Sequence, residues 1–171
     1  MSRQDRLQAE MPERIARLPK DERGYPVTYI AAYIDGKPDL GIQDFSKVLS
    51  CVREWRCHVC GEKLGNLGYF ISYEPIAKRP RFLDPAIHKE CALYSLKVCP
   101  YLANPSAKHR SSKMLATDRT DLGEVTGRSH KVVLLGVEGQ RTSVIQGQTE
   151  KHLSIVPTKI VSKESYDIRE L

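Results

Sequence analysis

Two matched pairs of residues carry most of the chemistry this chain offers. Cys57-x-x-Cys60 and His88-x-x-Cys91 supply three thiols and an imidazole, the donor set of a tetrahedral zinc site. A Cys-x-x-Cys turn presents two sulfurs from one tight loop. Gly61 follows it, where a positive φ closes such a knuckle. At i and i+3, His88 and Cys91 share one face of a helical turn and point at one ion. The 27 residues between the pairs suffice for a hairpin that brings them together. Four protein ligands close the coordination shell, whereas a catalytic zinc keeps a position for water. The spacing therefore predicts a structural Zn2+ held by Cys57, Cys60, His88 and Cys91.

Other uses of these residues fit less well. A redox dithiol sits at a strand-to-helix turn within a βαβ pattern, but a helical pattern precedes Cys57, and the second pair would have no role. A deaminase-like site would use His88-x-Glu90 with Cys57-x-x-Cys60. Here the order is reversed, Arg56 stands where that motif has proline, and Cys91 adds a fourth ligand. A nuclease built on such a finger needs a general-base histidine on the hairpin, and residues 61–87 contain none. No phosphate-binding glycine loop or serine nucleophile motif is present. No catalytic residue is assigned, and a binding protein is expected before an enzyme. Cys99 lies about 12 Å along the helix from Cys91 at 1.5 Å per residue, too far to share the ion. Cys99 and Cys51 are read as core, His58 as solvent-facing, and His109, His130 and His152 as lacking partner ligands.

The elements that must position the four ligands follow from periodicity. Asp44 is an N-cap. Phe45, Val48, Leu49, Val52 and Trp55 then mark one buried face of a helix that delivers the chain to Cys57. Residues 67–73 (LGYFISY) are strand-like and residues 81–83 a return strand. Asp84-Pro85 is a helix start, giving a helix from 86 to 99 that stops at Pro100. Upstream, residues 27–34 are β-rich, and Asp35-Gly36-Lys37-Pro38 turns them back onto residues 39–43. Downstream, residues 131–137 and 142–145 flank Glu138-Gly139-Gln140, a hairpin signal, and residues 153–156 form a further strand. The expected fold class is α+β: a treble-clef-like zinc module of knuckle, β-hairpin and helix. An N-terminal β-hairpin plus helix precedes it, and a C-terminal antiparallel β segment follows. Residues 1–19 are an arm or short helix interrupted by Pro12, residues 20–102 the zinc-binding domain, residues 103–130 a linker or loop, and residues 131–171 the β segment.

Charge is unevenly placed. The net charge is +6. Residues 1–50 and 114–171 each hold eight basic and eight acidic residues, while residues 51–113 hold eleven and five. All the excess surrounds the zinc ligands, which points to an acidic partner, nucleic acid first. Candidate contacts are Arg53, Arg56, Lys63, Lys78, Arg79, Arg81, Lys89 and Lys97, with Lys78-Arg79-Pro80-Arg81 at a hairpin tip. A protein partner is the alternative, reached by an exposed strand near residues 131–137 or 153–156. No apolar run approaches the ~20 residues of a membrane span. The charged N-terminus lacks a signal-peptide core, so cytoplasm and reduced cysteines are expected.

Arg23-Gly24-Tyr25-Pro26-Val27, Ile34-Asp35-Gly36-Lys37-Pro38-Asp39, Cys57-x-x-Cys60-Gly61, His88-x-x-Cys91-Ala92-x-Tyr94 and Cys99-Pro100-Tyr101-Leu102 together resemble an uncharacterised family of small zinc-binding proteins of bacteria and their phages. The similarity covers roughly residues 12–105. It implies the same four metal ligands and, in a phage setting, a host-interaction or counter-defence role. The strands after residue 105 fall outside it and read as an independent addition.

Overall fold

Chain-local signals shape the N-terminal half. The structure is a computed structural model that describes residues 9–74, 76, 78–104, 130–146 and 151–171, without the side chains of 145, 146, 151 and 152. Residues 1–8 of the expected arm and 105–129 of the expected linker lie outside the described residues. Pro12 is the N-cap residue of a short helix α1 (Glu13–Ala16), and Ile15 is buried in the core. The first hairpin pairs β1 (Ala31–Ile34) with β2 (Lys37–Gln43). Its two-residue turn has φ of 50° at Asp35 and 77° at Gly36, the left-handed pair that suits the twist of a tight hairpin. Helix α2 (Phe45–Glu54) starts as its sequence dictates, with the Asp44 carboxylate accepting from the Ser46 and Lys47 amides. Its buried face is narrower than the periodicity suggests. Val48 and Cys51 are enclosed, whereas Phe45 is 58% exposed.

Strand β3 (Gly68–Tyr73) does not pair with a return strand at 81–83. Its antiparallel neighbour is β4 (Lys131–Val137), in register from Gly68 opposite Val137 to Tyr73 opposite Val132. The 81–83 segment is drawn elsewhere. Phe82 stacks on Phe70 with centroids 4.2 Å apart and exchanges two backbone hydrogen bonds with Ile155. The return contact on β3 is a single bridge, Tyr69 to Ile87. Helix α3 (Lys89–Val98) consequently begins three residues later than Asp84-Pro85 suggests, because Ala86 and Ile87 remain extended. The Asp84 carboxylate accepts from the Gln43 side chain and caps no helix.

The C-terminal strands are β4, β5 (Gln140–Gln146), β6 (Lys151–Pro157) and β7 (Ile160–Asp167). The expected reversal at 138–140 is not there. β4 and β5 run on in one direction and β6 and β7 return beside them, β5 paired with β6 and β4 with β7. At the break the Glu138 amide donates to Lys159 O and the Thr158 amide to Gly139 O, both at 3.0 Å. A Cβ on Gly139 would lie 2.5 Å from Thr158 Oγ1, so this glycine serves a close approach of two strands and not a turn.

Strand order in the larger sheet is β3-β4-β7, so β4 is central. Val132, Val133, Leu134, Leu135 and Val137 are each no more than 1% exposed, as a continuous apolar run covered on both faces requires. The C-terminal segment is therefore not an independent addition. Its central strand shares one hydrophobic cluster with Cys57, Cys91, Phe70 and Leu96. No helix among the described residues is long and apolar enough to cross a membrane.

Candidate metal centre

Each ligand pair sits where a local backbone device places it. Helix α2 ends at Trp55, whose φ of 54° is left-handed, a conformation usually left to glycine at this position. Its indole N–H donates to Gly65 O at 2.8 Å, fixing the exit of the chain towards the knuckle. The Cys57 amide then donates to Glu62 O at 2.9 Å and the Gly61 amide to Cys57 O at 2.8 Å. Gly61 has the positive φ, 78°, that its place after Cys60 predicts. A Cβ there would come within 2.7 Å of the Tyr29 ring. Gly61→Ala should therefore cost about 1–3 kcal/mol for the backbone alone. Urea denaturation checks this, and an unchanged midpoint would contradict it.

The second pair straddles the start of α3. His88 is the N-cap residue, and its ring turns away from the helix towards the cysteines. Cys91 lies in the first turn. The four ligand atoms of Cys57, Cys60, His88 and Cys91 all fall within 4.8 Å of one another. His88 Nδ1 is 3.4 Å from Cys60 Sγ and 4.0 Å from Cys91 Sγ. Metal–sulfur and metal–nitrogen bonds of about 2.3 and 2.0–2.1 Å give tetrahedral edges of about 3.6–3.8 Å. The cluster can therefore close on one ion with small movements.

The surroundings support that role. With Nδ1 turned to the sulfurs, His88 Nε2–H donates to Lys63 O at 3.0 Å. A backbone carbonyl that fixes the tautomer of a ligating histidine is a common outer partner of metal sites. Cys57 and Cys91 are fully buried. Within the cluster, hydrogen bonds from Cys57 and Cys91 push the Cys60 thiol below its ordinary range. Hydrogen bonding with Cys57, and then with Cys60, pushes Cys91 up and raises the His88 imidazole to about 10. Donors this close compete for protons in a way that a shared cation resolves. Cys51 stands apart: burial pushes its thiol up to about 12, the behaviour of an inert core thiol.

No family model, curated protein or solved structure matches this chain. The case for the site rests on its geometry.

Two residues at the site carry no sequence signal. Arg14, from α1, places Nη1 2.7 Å from Glu62 Oε2 and Nε 2.5 Å from Glu90 Oε1. The same Nη1 is 3.1 and 3.4 Å from the two ring nitrogens of His88. Gln140, from β5, accepts from the Ala86 amide at 2.8 Å and donates to Cys51 O at 3.2 Å, tying β5 to α2 and to the approach of α3. Arg14 sits in no motif or periodic stripe, and Gln140 is read from the sequence only as part of the expected turn at 138–140, with nothing tying it to the metal site. His58, expected in solvent, is half-buried and directs Nδ1 at Pro85 O.

The eight basic candidates divide evenly. Arg56 pairs with Glu54 at 2.8 Å and donates to Gly61 O. Lys63 donates to Glu54 O at 2.7 Å. Arg81 reaches Ser143 and Ser154 hydroxyls, and Lys89 pairs with Glu164 of β7 at 2.5 Å. Arg53, Lys78 and Arg79 are exposed and Lys97 is half-buried. These four have no acidic partner among the described residues.

Proposed function

We propose that this chain is a non-enzymatic zinc protein in which Cys57, Cys60, His88 and Cys91 hold a structural Zn2+ and a basic surface contacts nucleic acid. The observation that carries the zinc reading is the convergence of four donors whose outer partner, Lys63 O, already fixes the histidine tautomer. Three sulfurs and one nitrogen in a closed set suit structural zinc. The module is read as treble-clef-like, with knuckle and ligand helix retained and the return strand reduced to the Ile87 bridge. The catalytic alternative loses support at Glu90, which is ion-paired to Arg14.

Nucleic acid is favoured by the surplus charge of residues 51–113 and by the four basic side chains left without acidic partners. Each phosphate contact contributes about −0.9 to the slope of log K against log salt on duplex DNA. Four such contacts give a slope of about −3.6. A gel-shift series across salt should show this dependence. Replacing Arg53, Lys78, Arg79 and Lys97 together by glutamine should flatten it while leaving zinc bound. No shift at the lowest salt would end the nucleic-acid reading.

A protein partner is the second reading, supported at a different surface from the strands first expected to carry it. β4 is enclosed between two strands, and β6 is paired with β5 and bridged to Phe82, so residues 131–137 and 153–156 offer no free strand. The first hairpin and the start of α2 instead display Tyr33, Ile34, Ile42 and Phe45, at 53, 47, 36 and 58% exposure. The exposure of these large apolar side chains is what supports this reading. A protein that co-purifies without nucleic acid and is released by Phe45→Ser would favour this reading.

A further inference from the structure

We propose that Arg14 is a positioning residue of the metal centre, so that docking of α1 and metal loading are thermodynamically coupled. The inference rests on the zinc reading above. The two ligand pairs come from segments distant in the chain; His88 to Lys63 O and His58 to Pro85 O already link them, and a further tie holds them at bonding distance. Arg14 does this with one guanidinium. Its Nη1 binds Glu62, two residues beyond Cys60 on the knuckle, and its Nε binds Glu90, between His88 and Cys91 on α3. The bridge therefore spans both halves of the ligand set.

The contact with His88 adds a second constraint. Nη1 lies at nearly equal distance, 3.1 and 3.4 Å, from both ring nitrogens. An approach midway between them in the ring plane would run into Cε1, so the guanidinium covers the ring face. It leaves the Nδ1 direction to the sulfurs and the Nε2–H to Lys63 O. The helix that carries Arg14 is itself anchored, since Ile15 is 1% exposed. Arginine suits the task because its planar fork serves two carboxylates and an aromatic face at once, which a lysine ammonium cannot.

Coupling of this kind is reciprocal. If a docked α1 tightens the site, zinc must tighten the docking of α1. Zinc competition against a chromophoric chelator, on the full chain, reads the first arm. Arg14→Ala should weaken zinc binding by about 10- to 100-fold, the usual effect of losing an outer partner. Arg14→Lys should recover only part of this. Adding Arg14→Ala to Glu62→Gln and Glu90→Gln should cost less than it does alone, because the bridge is already cut. Arg17→Ala, on the same helix but 3.7 Å from Glu62, should leave affinity unchanged. Hydrogen exchange reads the second arm: amides of residues 13–18 should be slowed by zinc in the parent chain and not in Arg14→Ala. If Arg14→Ala binds zinc as tightly as the parent, the inference is wrong and the zinc reading stands. If the parent takes up no zinc, both fall.

Discussion

Cys57→Ser and His88→Ala should each abolish stoichiometric zinc binding and unfold the region between the knuckle and α3. The size of the effect follows from what holds that region. In residues 55–68 the buried apolar side chains besides the ligand Cys57 are Val59 and Leu64, and the backbone contact between β3 and the α3 approach is one bridge. Structural zinc contributes on the order of 10 kcal/mol or more in small modules, while a whole domain is stable by only about 5–15 kcal/mol. Losing the ion should therefore remove most or all of the net stability. Serine does not replace the sulfur, because its hydroxyl stays protonated and binds zinc poorly. The measurement is metal content per chain together with near-ultraviolet circular dichroism. Cys99→Ser is the matching control: Cys99 follows α3, outside the ligand set, and its variant should keep both metal and fold. Full zinc content in Cys57→Ser would overturn the ligand assignment.

The second large effect lies at the other end of the chain. A chain ending at Asn104 retains all four candidate ligands, yet it should fail to fold. It lacks β4, the one strand among the described residues that pairs along β3, and the apolar cluster loses Val132, Val133, Leu134, Leu135 and Val137. The point-mutation version is Leu134→Ala. This side chain is fully buried in the middle of the central strand, so truncating it should cost about 2–5 kcal/mol in urea denaturation. Leu134→Asp should leave no cooperative transition, because an unpaired carboxylate cannot be buried there. A soluble fragment of residues 1–104 with dispersed amide resonances and bound zinc would show that β4–β7 are dispensable.

These two expectations differ in how far the sequence anticipates them. The cluster of four candidate donors was legible because it is encoded locally. A Cys-x-x-Cys-Gly turn and an i, i+3 pair each fix their own geometry within a few residues, and two such pairs imply one ion. Asp44 as an N-cap and Asp35-Gly36 as a tight turn were legible for the same reason. The hairpin assigned to residues 138–140 was not, although Gly139 looked like a turn residue. Its glycine answers a strand crossing at Thr158, and nothing within a few residues of Gly139 announces that. The return strand at 81–83 failed similarly. Phe82 has strand character, but a stack on Phe70 and a pairing with Ile155 outcompete pairing with its nearer neighbour.

By itself the sequence determined the candidate metal donors, the helices that deliver them, the first hairpin and the location of the excess charge. All of these depend on residue type and short-range spacing. Only the tertiary structure decided that β4 lies beside β3, that Arg14 bridges Glu62 and Glu90, and that half of the basic candidates are already engaged. Each of those is a meeting of segments distant in the chain. Such contacts are selected by burial and charge pairing across the whole fold, and leave no periodic mark on either segment alone.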